Sequence, residues 1–65
     1  MTELMIKATR GNEWLVIEQL NENEALWLYG EGVTGNGRSV CPLNVLESQL
    51  KAHEEHGWKV THRDT

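Results

Sequence analysis

The N-terminal part of the chain alternates apolar and polar residues on both sides of a Gly11-Asn12 pair. Two β-favouring runs separated by such a pair are typical of an antiparallel hairpin with a two-residue turn. The predicted cross-strand pairs are Arg10 with Glu13, Ala8 with Leu15, and Ile6 with Ile17. This register places opposite charges beside the turn and apolar side chains on one face, which supports the prediction.

Residues 21–24 are polar and turn-forming, and the apolar and aromatic run 25–29 that follows predicts a third strand. A loop of two or of four residues pairs Leu20 with Ala25 and Ile17 with Leu28. The resulting sheet has two faces. The predicted core face is aliphatic and consists of Leu4, Ile6, Ala8, Leu15, Ile17, Leu26 and Leu28. The other face is aromatic and mixed, and consists of Met5, Lys7, Trp14, Val16, Glu18, Leu20, Trp27 and Tyr29.

Residues 30–37 are rich in glycine and predict a sharp bend followed by another turn. The Asn36-Gly37 pair is a strong hairpin signal, so we expect the third strand to turn there and pair with a fourth strand over 38–41. The stretch 38–47, RSVCPLNVLE, resembles the strand and turn that close an SH3 domain. This resemblance implies an SH3-like small barrel with a C-terminal helix as an alternative architecture.

From Asn44 the apolar period changes, because Leu43, Leu46 and Leu50 are spaced three and four apart. This spacing predicts an amphipathic helix that begins with Asn44 as its cap, ends at Gly57 and covers the aliphatic face. A short edge strand over 58–61 and a loose tail over 62–65 complete the chain. The sequence therefore predicts a single α+β domain over 1–65, a curled antiparallel sheet of four to five strands in ββββαβ order. The last strand can lie beside the first or the fourth strand.

The chain has 65 residues, one cysteine and ten acidic against six basic side chains, for a net charge of −4. The single Cys41 excludes an intramolecular disulfide and is interpreted as a core thiol in a reducing compartment. No apolar run is long enough to span a bilayer, and residues 1–4 lack the start of a signal peptide, so we expect a cytoplasmic protein. The acidic balance disfavours binding to duplex nucleic acid.

Three patterns suggest chemistry and are better explained by structure. Gly30-x-Gly32-x-x-Gly35 matches a dinucleotide-binding string, but no helix follows it, so we interpret it as a turn. His53 and His56, with His62, have too few suitable partners for a zinc site. No nucleophile and base can be paired from the sequence, and adjacent glutamates on the helix point to different sides. We therefore expect no enzyme activity, cofactor or metal.

The aromatic face is the remaining candidate for function, because a small monomer rarely exposes so large an apolar area. The sheet can curl over it, a second copy can pack on it as a homodimer, or a protein partner can bind it. We predict partner-binding residues at Trp14, Val16, Trp27 and Tyr29, with Lys7 and Arg38 at the rim. This pattern favours a small non-catalytic interaction or regulatory protein. The alternative is a module that stacks single-stranded nucleic acid on the same aromatic residues.

Overall fold

The computed structural model describes residues 4–64, which form one antiparallel sheet and one helix. The strands are β1 Met5–Arg10, β2 Glu13–Gln19, β3 Glu24–Glu31, β4 Thr34–Pro42 and β5 Lys59–Asp64. A short 3₁₀ turn, Leu43–Val45, leads into helix α1, Leu46–Glu55. The strand order is β4-β3-β2-β1-β5, and the sheet is not closed into a barrel. The predicted α+β curled sheet is confirmed, and the barrel alternative is wrong.

The β1–β2 hairpin has the predicted register, with Ile6 opposite Ile17 and Arg10 opposite Glu13. Gly11 has φ +62°, while Asn12 has a negative φ, as in a two-residue turn with glycine at its first central position. The Arg10 guanidinium lies 3.0 Å from the Glu13 carboxylate beside this turn. The local pattern around the turn was sufficient to predict this hairpin.

The predicted register between β2 and β3 is wrong by one residue, since Ile17 lies opposite Trp27 and not opposite Leu28. The backbone N–H of Leu20 donates to the carbonyl of Glu24 at 3.0 Å, which leaves residues 21–23 as the loop. An odd loop length inverts the two faces of the following strand, because side chains alternate with a period of two. Trp27 and Tyr29 therefore lie on the helix-covered face, and Leu26 and Leu28 on the opposite one.

The turn between β3 and β4 is at Gly32 and Val33, not at the predicted Asn36-Gly37 pair. Gly32 has φ +59° and donates its N–H to the carbonyl of Asn12 at 2.9 Å, so the two turns at this end of the sheet are joined. Asn36 lies inside β4, where the register shifts by one residue in a β-bulge. The predicted pairing of the third strand with residues 38–41 is nevertheless present.

Helix α1 starts later than predicted, because residues 43–45 form a 3₁₀ turn and the Leu46 N–H bonds to the Leu43 carbonyl. Asn44 is not the cap: Val45 occupies the N-cap position, without a side-chain hydrogen bond. The predicted end at Gly57 is confirmed. Gly57 has φ +98°, and the N–H groups of Gly57 and Trp58 donate to the carbonyls of Glu54 and His53 in a Schellman motif.

Strand β5 lies beside β1 and continues to Asp64, beyond the predicted strand end at residue 61. Residues 62–64 therefore belong to the sheet, and Thr65 lies outside the described residues. The Arg63 guanidinium forms an ion pair with Glu47, which links the edge strand β5 to helix α1.

The core lies between α1 and one face of the sheet. It consists of Ile6, Ala8, Leu15, Ile17, Ala25, Trp27, Cys41, Leu46 and Leu50. The two leucines of α1 are one helical turn apart and point into this layer, as the apolar period predicted. Within residues 4–64, no helix is long and apolar enough to cross a membrane.

Candidate binding surface on the open sheet face

The sheet has a helix on one face only, and we call the other side the open face. The strand registers assign the alternate side chains to it. The open face includes Met5, Lys7, Thr9, Trp14, Val16, Glu18, Glu24, Leu26, Leu28, Arg38, Val40, Pro42, Lys59, His62 and Asp64. No described element packs over these positions, so the side chains form a surface layer.

The side chains of the open face fall into rows that cross the strands. The middle row runs, from β4 to β5, through Arg38, Leu28, Val16, Lys7 and His62. Its centre is aliphatic, and a cation lies on each side of that centre. The adjacent row runs through Val40, Leu26, Glu18, Met5 and Asp64. Together the rows bring five aliphatic or thioether side chains into one patch.

This apolar patch, which we define as Met5, Val16, Leu26, Leu28 and Val40, is only partly shielded from water. Val40 is 46% exposed, and the other four side chains are half-buried by one another and by the sheet. Burying such side chains completely gains roughly 25 cal/mol for each Å² removed from water. Covering the patch with a second surface would therefore make a favourable contribution to the free energy of binding.

Trp14 borders the patch and is held flat against the sheet. Its ring lies over Gly30 so closely that a Cβ atom built on Gly30 would be 2.1 Å from Trp14 Cζ2. The indole Nε1–H donates to the Gly32 carbonyl at 2.9 Å. The absence of a side chain at Gly30 thus makes room for the ring, and the hydrogen bond orients it. Trp14 offers one face of a fixed ring beside the patch.

The structure divides the predicted partner-binding residues between the two faces. Trp14, Val16, Lys7 and Arg38 share the open face, as predicted. The placement of Trp27 and Tyr29 beside them is wrong, because the three-residue loop before β3 turns both toward the helix. Trp27 is 1% exposed and its Nε1–H donates to Cys41 Sγ at 3.0 Å inside the core.

The sequence interpretation missed the aliphatic part of the surface. The predicted register places Leu26 and Leu28 on the core face, and Val40 is not among the predicted partner-binding residues. Their alternation along β3 and β4 was visible in the sequence, but the face that they occupy depends on the length of the preceding loop. The corrected surface is more aliphatic and less aromatic than predicted.

A concavity of about 410 Å³ lies on the helix-covered side. Its lining consists of Arg10, Glu13, Tyr29, Ala52, His53, His56 and Trp58. The cation in this cleft is already engaged: the Arg10 guanidinium lies 4.9 Å above the Trp58 ring, pairs with Glu13, and donates to the His56 carbonyl at 3.3 Å. Arg10 thus ties the first hairpin to the end of the helix, and this cleft is best explained as a structural contact.

The imidazole of His53 is engaged by neighbouring groups of the fold. The His53 Nδ1 lies 2.8 Å from the Gln49 carbonyl, and its ring packs between the Trp27 and Trp58 rings, at centroid distances of 5.0 and 6.1 Å. In the part of the chain that the structure describes, no group of three or more His, Cys, Asp or Glu side chains is placed to hold a metal ion.

Comparison with known proteins adds no relative: no protein-family model, curated protein or solved structure matches this chain. The open face is therefore the feature from which we infer a function.

Proposed function

We propose that this chain is a small non-catalytic interaction protein that binds a protein partner through the open face. The observation that carries the proposal is the apolar patch, which no described element covers and which has Lys7 and Arg38 on its two sides. An apolar centre with a polar, charged rim is the usual composition of a protein–protein interface. Trp14 and Arg38 are residue types that often dominate the binding energy of such interfaces.

Binding of single-stranded nucleic acid is less well supported by this geometry. Stacking modules present several aromatic rings to successive bases. Here Trp27 is in the core, Tyr29 lies on the helix-covered face, and Trp14 is the aromatic residue of the open face. Glu18 and Asp64 on the same face also repel phosphates. An accessory or regulatory role in the cytoplasm agrees with a protein-binding surface and with a free, buried Cys41 thiol.

The proposal is tested by capture experiments with three matched chains. The wild type, Leu28→Lys and Val33→Lys are immobilised and exposed to a lysate of the organism that encodes the protein, and bound proteins are quantified by mass spectrometry. Leu28 lies in the centre of the patch, whereas Val33 is fully exposed at the β3–β4 turn. Circular dichroism of each variant controls for folding.

We expect at least one protein to bind the wild type and Val33→Lys and to be lost with Leu28→Lys. A lysine in the patch is left without a partner for its charge when the surface is covered. The free-energy cost of burying this unpaired charge weakens the complex. Equal capture by all three chains, or capture by none, would contradict binding through the open face.

A further inference from the structure

The charges that border the apolar patch indicate what shape of partner fits it. Arg38 on β4 and Lys7 on β1 belong to the same cross-strand row, and β3 and β2 lie between them. Neighbouring strands are about 4.8 Å apart, so the two cations stand roughly 14 Å apart across the strands. An α-helix with its side chains is about 10–12 Å wide. One helix that runs along β2 and β3 therefore fits between the two cations.

The chain already shows this kind of packing on its other face. Helix α1 covers the sheet with Leu46 and Leu50, one turn apart, and its Glu47 pairs with Arg63 on the edge strand β5. This sheet therefore supports a helix whose central apolar stripe packs on it and whose carboxylate pairs with a cation on a strand. Lys7 and Arg38 form no ion pair within residues 4–64 and are exposed, so they can take the same role on the open face.

A second copy of α1 cannot be this occupant. Its apolar stripe is already buried in the core of its own chain, where Leu46 is 4% and Leu50 is 2% exposed. A helical occupant of the open face is therefore not α1 of a second copy.

From these observations we infer that the open face binds an amphipathic α-helix of a protein partner, with acidic side chains on both flanks of its apolar stripe. The apolar stripe covers Leu28, Val16 and Leu26, and the flanking carboxylates meet Lys7 on one side and Arg38 on the other. This inference rests on the proposed function and specifies the class of partner.

Glu18 gives the bound helix a direction. Its carboxylate lies at one end of the patch, between Leu26 and Met5 in the row next to Lys7. The N-terminus of a helix carries a partial positive charge, so a helix that starts above Glu18 is favoured over one that ends there. The helix then runs toward the Trp14 end of the patch.

The experiment uses three designed peptides of equal length and binding measured by fluorescence anisotropy. The first is a helix with leucines at i, i+3, i+4 and i+7 and glutamates on both flanks. The second has lysines in place of those glutamates, and the third has the composition of the first with two central prolines that prevent helix formation. The protein is used as the wild type, as Lys7→Glu/Arg38→Glu, and as Ser48→Glu/Gln49→Glu/Lys51→Glu. The last variant makes the same change of net charge at exposed positions of α1, on the other side of the sheet.

We expect the acidic helix to bind the wild type and the Ser48→Glu/Gln49→Glu/Lys51→Glu control, and to lose about tenfold or more in affinity for Lys7→Glu/Arg38→Glu. The lysine-flanked helix should show the reverse preference, and the proline peptide should not bind. Raising the salt concentration should weaken the acidic complex, since exposed charge pairs are screened.

Four results would overturn the inference. They are absence of binding by the acidic helix, equal binding of both charged helices, equal binding by the Lys7→Glu/Arg38→Glu variant and the α1 control variant, and self-association of the chain through the open face in sedimentation experiments. The inference can also fail while the proposed function stands. A captured natural partner that is lost with Leu28→Lys but binds Lys7→Glu/Arg38→Glu as it binds the wild type would retain the open face as an interface and exclude the helix with acidic flanks.

Discussion

At the end of the sheet that carries the β3–β4 turn, contacts of Trp14 connect the open face to that turn. Gly30 lies under the Trp14 ring, and the same ring donates a hydrogen bond to Gly32 in the β3–β4 turn. A tryptophan that packs on a strand glycine restores the apolar contacts that glycine itself lacks. Trp14 thus both borders the apolar patch and stabilises the turn that begins β4.

Substitution at Gly30 tests this contact. A Cβ atom at this position would be 2.1 Å from Trp14 Cζ2 and 2.5 Å from the Thr34 carbonyl oxygen. Because backbone as well as ring must shift, we expect Gly30→Ala to lower the free energy of unfolding by about 1–3 kcal/mol. Urea denaturation followed by circular dichroism measures the change.

Gly35 provides the matched control, since it pairs with Gly30 in the neighbouring strand and has open space where its Cβ would be. Gly35→Ala should change the stability by less than about 0.5 kcal/mol, as most surface substitutions do. Similar stability losses for both variants would show that the Trp14 contact with Gly30 is unimportant.

At the scale of elements, the loop between β2 and β3 decides which side chains become core. The Asn21 carboxamide organises this loop: its Oδ1 accepts from the Asn23 N–H at 2.8 Å, and its Nδ2 donates to the Glu24 carboxylate at 2.9 Å. Side-chain bonds of this kind are characteristic of asparagine in tight turns. A loop over 21–23 follows, and with it the face that each residue of β3 occupies.

The neighbouring residues Trp27 and Leu28 test the register directly. Trp27 is fully buried against the helix, so Trp27→Ala should cost about 3–5 kcal/mol. A core of this size supplies roughly that much in total, and we therefore expect this variant to be largely unfolded. Leu28 is half-buried on the open face, and Leu28→Ala should cost about 1 kcal/mol.

Thermal and urea unfolding of the two variants, monitored by circular dichroism, gives the comparison. The register predicted from the sequence requires the opposite order, because it places Leu28 in the core and Trp27 on the surface. A larger loss for Leu28→Ala than for Trp27→Ala would refute the observed pairing of β2 with β3.

At the scale of the whole molecule, the strand order concentrates stability in the middle of the sheet. Strand β2 lies at the centre, with β3 and β1 beside it, and β4 and β5 form the two edges. Most of β4 is exposed, and Cys41 is its buried residue. Edge strands have backbone groups that face solvent on one side, and they open at a lower cost than central strands.

Amide hydrogen exchange measured by NMR tests this distribution. We expect the slowest exchange in β1, β2 and β3, at rates near the global unfolding limit, and faster exchange in Thr34–Gly37 of β4 and in the outward amides of β5. Binding of a partner helix to the open face should slow exchange throughout, because a ligand that binds only the folded state stabilises it. Equal protection of edge and central strands in the free chain would contradict this picture.

The features predicted correctly from the sequence depend on residues close together along the chain. The β1–β2 hairpin follows from Gly11-Asn12 between two β-favouring runs, and the helix end follows from Gly57 with Trp58 behind it. The apolar period of Leu46 and Leu50 predicted the helical face that enters the core. In each case the turn or cap and its partners lie within a few residues, so local rules are sufficient.

The composition of the open face was decided only in the tertiary structure. The open face carries Leu26 and Leu28, and not Trp27 and Tyr29, because the loop before β3 has three residues and not the two or four that the sequence suggested. The displaced β3–β4 turn follows from contacts of Gly32 with the distant Asn12 and Trp14. A shift of one residue costs little in local propensity but exchanges every side chain between the faces of a strand. The register is therefore selected by the Asn21 bonds that close the loop together with the packing of Trp27 in the core.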